Sequence, residues 1–124
     1  MDNDLQKRLI DYAVRIIALA GSLPPTFTGN HIAGQIIRSG TSPAPNYAEA
    51  VSSESRNDFI HKIQIALKEL RETDVWLKII QSARLIDPPD RLNSLLEETN
   101  ELLSILVASV HTARRNATKQ TSGS

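Results

Sequence analysis

The chain has 124 residues with 14 basic and 14 acidic side chains, so its formal net charge is zero. This length suits one domain with one hydrophobic core, and the balanced charge removes the basic excess that would by itself indicate a nucleic-acid partner. The chain has no cysteine, which excludes disulfides, thiol catalysis and cysteine-ligated zinc. Its apolar stretches are too short or too charged to span a membrane, and we expect a bacterial-type cytoplasmic protein.

Three close pairs of prolines predict helix boundaries, because proline breaks the interior of a helix. The pairs are Pro24/Pro25, Pro43/Pro45 and Pro88/Pro89. Ahead of the first pair, apolar residues recur at steps of three and four, which predicts a first helix that ends near Gly21. The residues of this apolar face are Leu5, Leu9, Tyr12, Ile16 and Leu19.

The second predicted helix covers about Asn30–Val51 and contains a break. Gly40 can end a turn and Ser42 can cap the next one. Pro43 suits the first position of a helix, where no intrahelical hydrogen bond is lost. We therefore expect the second helix to be kinked near Gly40–Pro45.

The third and fourth predicted helices are long and amphipathic. Ser55 followed by Asp58 resembles a capping box and predicts the start of the third helix, and Asp87 ahead of the third proline pair predicts the start of the fourth. The inward residues of the third helix are Phe59, Ile63, Ala66, Leu70, Thr73, Leu77 and Ile80. Those of the fourth are Leu92, Leu95, Leu96, Leu102, Leu103, Leu106 and Val110.

Four helices with short connectors predict an all-α fold, an antiparallel up-down-up-down four-helix bundle. We expect the bundle to occupy residues 1–116 and the polar residues 117–124 to form a disordered C-terminal tail.

The sequence lacks the patterns that carry catalysis or metal binding in helical bundles. A di-iron site needs two Glu-x-x-His motifs, whereas this chain offers a single carboxylate–histidine pair, Asp58 and His61. No nucleophile motif lies beside a histidine, and Ser39–Ser42 lacks the Gly-Lys-Ser/Thr ending of a phosphate-binding loop. We therefore expect no enzymatic activity, no metal and no cofactor.

Several segments in the middle of the chain closely resemble one bacterial family. They are Ile36–Ser42, Asn46–Ala50, Ser53–Lys62 and Ala66–Thr73, followed by Trp76 and Leu77. This run is similar to the small four-helix bundle proteins encoded in 23S ribosomal RNA intervening sequences. It also resembles a related branch, the accessory variability determinant protein of diversity-generating retroelements. The resemblance covers about residues 5–115.

The resemblance implies a cytosolic four-helix bundle that assembles as a homopentamer, has a suspected nucleic-acid role and carries no enzymatic activity. Members of the family commonly carry Ile and Gly after Thr-Ser, where this chain has Pro43 and Ala44, followed by Pro45. We expect this departure to sharpen the kink in the second helix without changing the fold.

A basic stripe on the third helix is the candidate nucleic-acid site. It consists of His61, Lys68, Arg71 and Lys78. Three permanent cations thus share one helix face and could contact phosphates of RNA or DNA. The alternative is a solvated face, because Glu72 and Asp74 stand four residues from Lys68 and Lys78, which is the spacing of local ion pairs.

Other locations and other functions stay open. Phosphate contacts could instead involve Arg114, Arg115 and Lys119 near the C-terminus. The competing function is a scaffold or adaptor that binds a protein and has no nucleic-acid role. Salt-dependent binding to structured RNA or DNA would distinguish the two, because phosphate contacts release counterions.

A group of polar residues accompanies the kink and the motifs of the resemblance. It consists of Arg38, Ser39, Ser42, Asn46, Glu49, Glu54 and Arg56. They could form a ligand site. The other interpretation is a polar network that closes the broken backbone of the second helix, because a break leaves amides and carbonyls in need of partners.

Apolar residues on the rear of the third helix are the candidate oligomer interface. Ile65, Trp76 and Ile79 point away from the inward face of that helix, and a helix that is apolar on both faces is usually buried on both. The alternative is a third helix that lies centrally and is covered by its own neighbours.

Overall fold

The computed structural model of the chain is all-helical and describes the backbone of residues 2–123 and the side chains of residues 4–116. Its elements are α1 (Asp2–Gly21), α2 (Phe27–Thr41), α3 (Pro43–Val51), α4 (Arg56–Ser82), a 3₁₀ turn (Pro89–Leu92) and α5 (Asn93–Gly123). Within residues 2–123 there is no strand, which confirms the predicted all-α class. The tail predicted for residues 117–124 lies outside the described side chains and stays a prediction. In the described part of the chain, no helix is long and apolar enough to cross a membrane.

The core consists of the apolar faces that helical spacing predicts. Tyr12 and Ile16 of α1, Leu70 and Leu77 of α4 and Leu102 of α5 are completely or almost completely buried. Some residues at the edges of the predicted faces are only half-buried against this core, namely Leu5, Leu19, Phe59, Leu96 and Leu103.

The second predicted helix is divided into α2 and α3 at Ser42. It begins earlier than expected, at Phe27, because Thr26 Oγ1 accepts a hydrogen bond of 3.1 Å from the Gly29 N–H and caps the first turn. Pro43 takes the first position of α3, as predicted. The predicted side-chain cap from Ser42 is absent.

Local signals also set both ends of α4. Ser55 Oγ accepts a hydrogen bond of 3.0 Å from the Asp58 N–H, which confirms the predicted cap. At the other end, the Leu85 N–H donates to the Ile80 carbonyl at 3.0 Å and Arg84 has a φ of 54°. This is a Schellman ending in which arginine occupies the left-handed position that glycine favours.

The fourth predicted helix begins later than Asp87. Pro88 is extended, with φ −73° and ψ 154°, because a residue that precedes proline is pushed away from the α conformation. A 3₁₀ turn follows from Pro89, and α5 begins only at Asn93.

Helices α1 and α4 are not direct neighbours in the fold. In the described part of the chain, the backbones of α1 and α4 do not come close to each other, whereas each of them lies close to α2, α3 and α5. The outward faces of α1 and α4 are therefore on different sides of the molecule.

Candidate functional site

The predicted basic stripe lies exposed along α4. His61, Lys68, Arg71 and Lys78 are all solvent-exposed. Lys78 Nζ is paired with Asp74 Oδ2 at 2.8 Å, as the spacing of four residues predicts. The predicted pair between Lys68 and Glu72 does not form, because Glu72 binds Arg38 of α2 and the indole of Trp76 instead. Among the described side chains, Lys68 has no ion pair.

A groove between α4 and α5 joins part of this stripe to cations of the C-terminal helix. Its volume is about 310 Å³. The lining residues are Gln64, Leu67, Arg71, Val107, Val110, His111 and Arg114. Two arginines from different helices thus share one concave surface, and the described lining contains no Asp or Glu. We call this surface the cationic groove.

The cationic groove contains residues from two candidate locations that the sequence analysis treated as alternatives. Arg71 belongs to the α4 stripe and Arg114 to the alternative C-terminal set, while His111 was not singled out. Leu67 and Val110 also line the groove and are buried, so these two apolar residues help to fix α4 against α5. Arg115 is exposed and lies outside the groove lining, and Lys119 lies outside the described side chains.

The polar residues near the break are separated by the structure into several local networks. Asn46 Nδ2 donates to both the carbonyl oxygen and the Oγ of Ser42, each at 3.0 Å. These bonds satisfy backbone and side-chain acceptors at the junction of α2 and α3. Ser39 is fully buried, and its Oγ is hydrogen-bonded to Thr73 Oγ1 of α4 at 2.8 Å.

Charged members of the same group bind α4. Arg38 is paired with Glu69 at 3.0 Å and with Glu72. Glu49 of α3 accepts from Lys62 Nζ, also at 3.0 Å. Each of these contacts holds α2 or α3 against α4, which supports the interpretation of this group as a polar network.

Glu54 and Arg56 lie elsewhere, at one end of the bundle. They line a second groove of about 440 Å³ together with Tyr47, Phe59 and Asn116. The seven predicted residues therefore do not converge on one ligand site.

The candidate interface residues differ in exposure. Trp76 is half-buried, meets the ring of His31 edge-on with centroids 6.3 Å apart, and donates from Nε1 to Glu72 Oε2 at 3.0 Å. Ile65 is also half-buried, whereas Ile79 is exposed. Neighbouring α2 thus covers part of the rear of α4 and leaves Ile79 open.

Sequence analysis missed an exposed apolar face on α1. Ile10, Val14 and Ile17 are all exposed. Their spacing of four and three residues was visible in the sequence and would have revealed a second apolar stripe beside the inward face.

In the described part of the chain, no three His, Asp or Glu side chains are grouped so that they could hold a metal ion. The fold and the site together define an all-helical protein with a cationic groove between its two longest helices.

Comparison with known proteins identifies the family. The chain matches the family model described as 23S rRNA-intervening sequence protein over residues 1–108, and it belongs to that family. It is also similar to a crystal structure of a protein of unknown function from the S23 ribosomal protein family of Bacteroides thetaiotaomicron. The two are 33% identical with a TM-score of 0.79, and the match covers 86% of this chain and 97% of that one. Among curated proteins, no relative matches this chain.

Proposed function

We propose that this protein is a non-enzymatic, cytoplasmic, homo-oligomeric bundle that associates with RNA through the cationic groove. The observation that carries the proposal is that Arg71 of α4 and Arg114 of α5, two arginines from different helices, line one groove. Guanidinium groups bind phosphate oxygens with two parallel hydrogen bonds. Lys68, exposed on the same helix, extends the positive surface along α4, and His61 is exposed on that helix as well.

The family supports this proposal, because its description, 23S rRNA-intervening sequence protein, associates it with ribosomal RNA. The proposed assembly is a homopentamer, and the proposed relation to the accessory variability determinant of diversity-generating retroelements rests on the sequence resemblance alone. A net charge of zero favours modest affinity that is concentrated at one surface, because no long-range field attracts nucleic acid to the whole molecule.

The proposed helix order is up-down-up-down, with the second helix kinked near Gly40–Pro45. Paired contacts support this order. Along α1, Arg8 binds Glu98 and the later Arg15 binds Ser94, so the α5 partners run in the opposite direction. Arg38 and Glu49 pair with α4 in the same reversed order, at Glu69 and Lys62.

The test is salt-dependent binding of a structured RNA to the wild type and to an Arg71→Gln/Arg114→Gln variant. Loss of two phosphate contacts should weaken binding for all RNA sequences. It should also reduce the slope of the logarithm of the binding constant against the logarithm of the salt concentration by about two. The matched control is Arg91→Gln. Arg91 is an exposed arginine on the 3₁₀ turn, and the length of α5 between this turn and the groove is about 20 Å.

Two outcomes would contradict the proposal. Equal affinity and salt slope in the double variant would remove the cationic groove from the interaction. Absence of RNA binding by the wild type at low salt would reject the nucleic-acid role and favour a scaffold or adaptor that binds a protein.

A further inference from the structure

The cationic groove is lined by two kinds of polar side chain. Arg71 and Arg114 are cations, whereas Gln64 and His111 carry groups that can both donate and accept hydrogen bonds. All four residues are solvent-exposed, so a molecule in the groove can reach each of them. The order in which they follow one another along the groove determines the ligand that they fit.

The contact between the end of α4 and the start of α5 gives this order. Gln81 Nε2 donates to Asn93 Oδ1 at 3.0 Å, and in the antiparallel order proposed above the two helices run side by side from this contact. At about 1.5 Å per residue, Gln64 of α4 and His111 of α5 both lie about 26 Å from it. The amide and the imidazole are therefore level with each other in the groove.

The two arginines stand on either side of that level. Arg71 lies about 15 Å from the contact between the helix ends and Arg114 about 32 Å. Side chains of a helix lean toward its N-terminus, and the N-termini of antiparallel helices point in opposite directions. Arg71 and Arg114 therefore lean toward each other, with Gln64 and His111 between them.

We propose that the cationic groove binds one phosphate–ribose–phosphate step of an RNA backbone and distinguishes RNA from DNA by the 2′-hydroxyl. Arg71 and Arg114 bind the two phosphates, because guanidinium groups match phosphate oxygens. Gln64 and His111 bind the hydroxyl of the ribose between them. This inference rests on the RNA binding in the proposed function and names the chemical group that makes the ligand RNA.

The hydrogen-bonding capacity of Gln64 and His111 matches that of the 2′-hydroxyl. This hydroxyl both donates and accepts, and it is the group by which a protein distinguishes RNA from DNA at a given site. A glutamine amide has donors and an acceptor, and a neutral imidazole has one of each. Lysine or arginine at these two positions could only donate.

The size and lining of the groove favour contact with the backbone over contact with bases. Its volume of about 310 Å³ lies at the lower end of the range for small-ligand pockets, so it holds a short piece of one strand. The described lining contains no Phe, Tyr or Trp, the aromatic residues on which unstacked bases stack. The contact is therefore independent of base sequence.

Three hairpins of one sequence test the inference. They consist of RNA, of DNA, and of 2′-fluoro RNA, which keeps the sugar geometry of RNA but lacks the hydroxyl. The wild type should bind the RNA hairpin about tenfold more tightly than the 2′-fluoro hairpin, which corresponds to the loss of two hydrogen bonds. The DNA hairpin should bind no more tightly than the 2′-fluoro hairpin.

Variants of the groove assign the preference to its residues. Gln64→Leu/His111→Leu should bind both hairpins equally and should keep the salt dependence of the wild type, because Arg71 and Arg114 remain. His111→Gln, whose amide still donates and accepts, should keep the preference for RNA. Asn100→Leu changes an exposed amide of α5 outside the groove lining. It is the matched control and should bind like the wild type.

The outcomes separate this inference from the proposed function. Absence of RNA binding by the wild type at low salt would overturn both. Salt-dependent binding with equal affinity for the RNA and 2′-fluoro hairpins would overturn this inference alone. A preference for RNA that survives in Gln64→Leu/His111→Leu would also overturn it, provided that far-ultraviolet circular dichroism shows intact helices in the wild type and the variant.

Discussion

Tyr12 of α1 and Thr99 of α5 are joined in the core by a hydrogen bond of 2.7 Å between their hydroxyl oxygens. Thr99 Oγ1 also donates to the Leu95 carbonyl at 2.7 Å. Because a threonine hydroxyl has a single proton, Tyr12 is the donor and Thr99 the acceptor in the bond between the helices. Both residues are buried, so this bond holds α1 against α5 where water does not compete.

Tyr12→Phe removes the donor and leaves the packing of the ring almost unchanged. We expect the free energy of unfolding to fall by about 1 kcal/mol, the usual contribution of a buried hydrogen bond between neutral groups. Urea denaturation at matched protein concentration measures the change, with an unaltered m-value. A variant as stable as the wild type would show that the bond between α1 and α5 contributes nothing measurable.

Tyr12 also makes the stability of the protein sensitive to alkaline pH. Burial raises the pKa of Tyr12 far above its ordinary value, and the hydrogen bond to Thr99 only partly opposes this. Between the pKa of an unfolded tyrosine, about 10, and the raised folded value, the unfolded state loses a proton that the folded state keeps. Stability contributed by this group is therefore complete below about pH 10 and declines as the pH rises further.

The measurement is the free energy of unfolding of the wild type and of Tyr12→Phe between neutral pH and pH 11. The wild type should lose more stability than the variant over the alkaline part of this range, so their difference should shrink and then reverse. Parallel curves would mean that the Tyr12 hydroxyl titrates in the folded protein as it does in the unfolded chain.

Sequence patterns predicted those features of the fold that depend on neighbours along the chain. The buried positions of Tyr12 and Ile16 follow from helical spacing, and the cap at Ser55 follows from its own side chain and the amide three residues later. The partner of Tyr12 was not predictable, because it depends on how α5 is rotated against α1.

The difference between features set by sequence neighbours and features set by helix packing also explains which parts of the candidate site could be predicted. Spacing placed Lys68 and Arg71 on one face of a helix, which is a local property. That Arg114 stands across a groove from Arg71 depends on the pairing of α4 with α5. Arg8 stands four residues after Asp4, at the spacing of a local ion pair, whereas Glu98 offers it two parallel hydrogen bonds from another helix. Such a bidentate contact is stronger than an exposed pair on one helix.

Arg84 occupies a left-handed backbone position that favours glycine. Its φ of 54° is costly for a residue with a Cβ atom and free of strain for glycine. We expect Arg84→Gly to raise the free energy of unfolding by about 0.5–1 kcal/mol, after the greater freedom of glycine in the unfolded chain is subtracted. Thermal and urea unfolding measure the gain, and Arg84→Ala, which keeps the Cβ atom, is the control and should show none of it.

Replacement by alanine should have opposite effects on stability at two glycines of α2. A Cβ atom at Gly40 would lie 2.8 Å from both Cγ1 and Cγ2 of Ile16, whereas a Cβ atom at Gly34 would meet nothing within 4 Å. Gly40 therefore lets α2 approach α1 closely, and alanine there should cost about 1–3 kcal/mol by overpacking. Gly34→Ala should instead stabilise the protein by about 0.5–1 kcal/mol, because alanine has the higher helix propensity. Parallel urea titrations of both variants measure the two signs. If Gly40→Ala were as stable as Gly34→Ala, the close contact between α1 and α2 at Ile16 would not exist in solution.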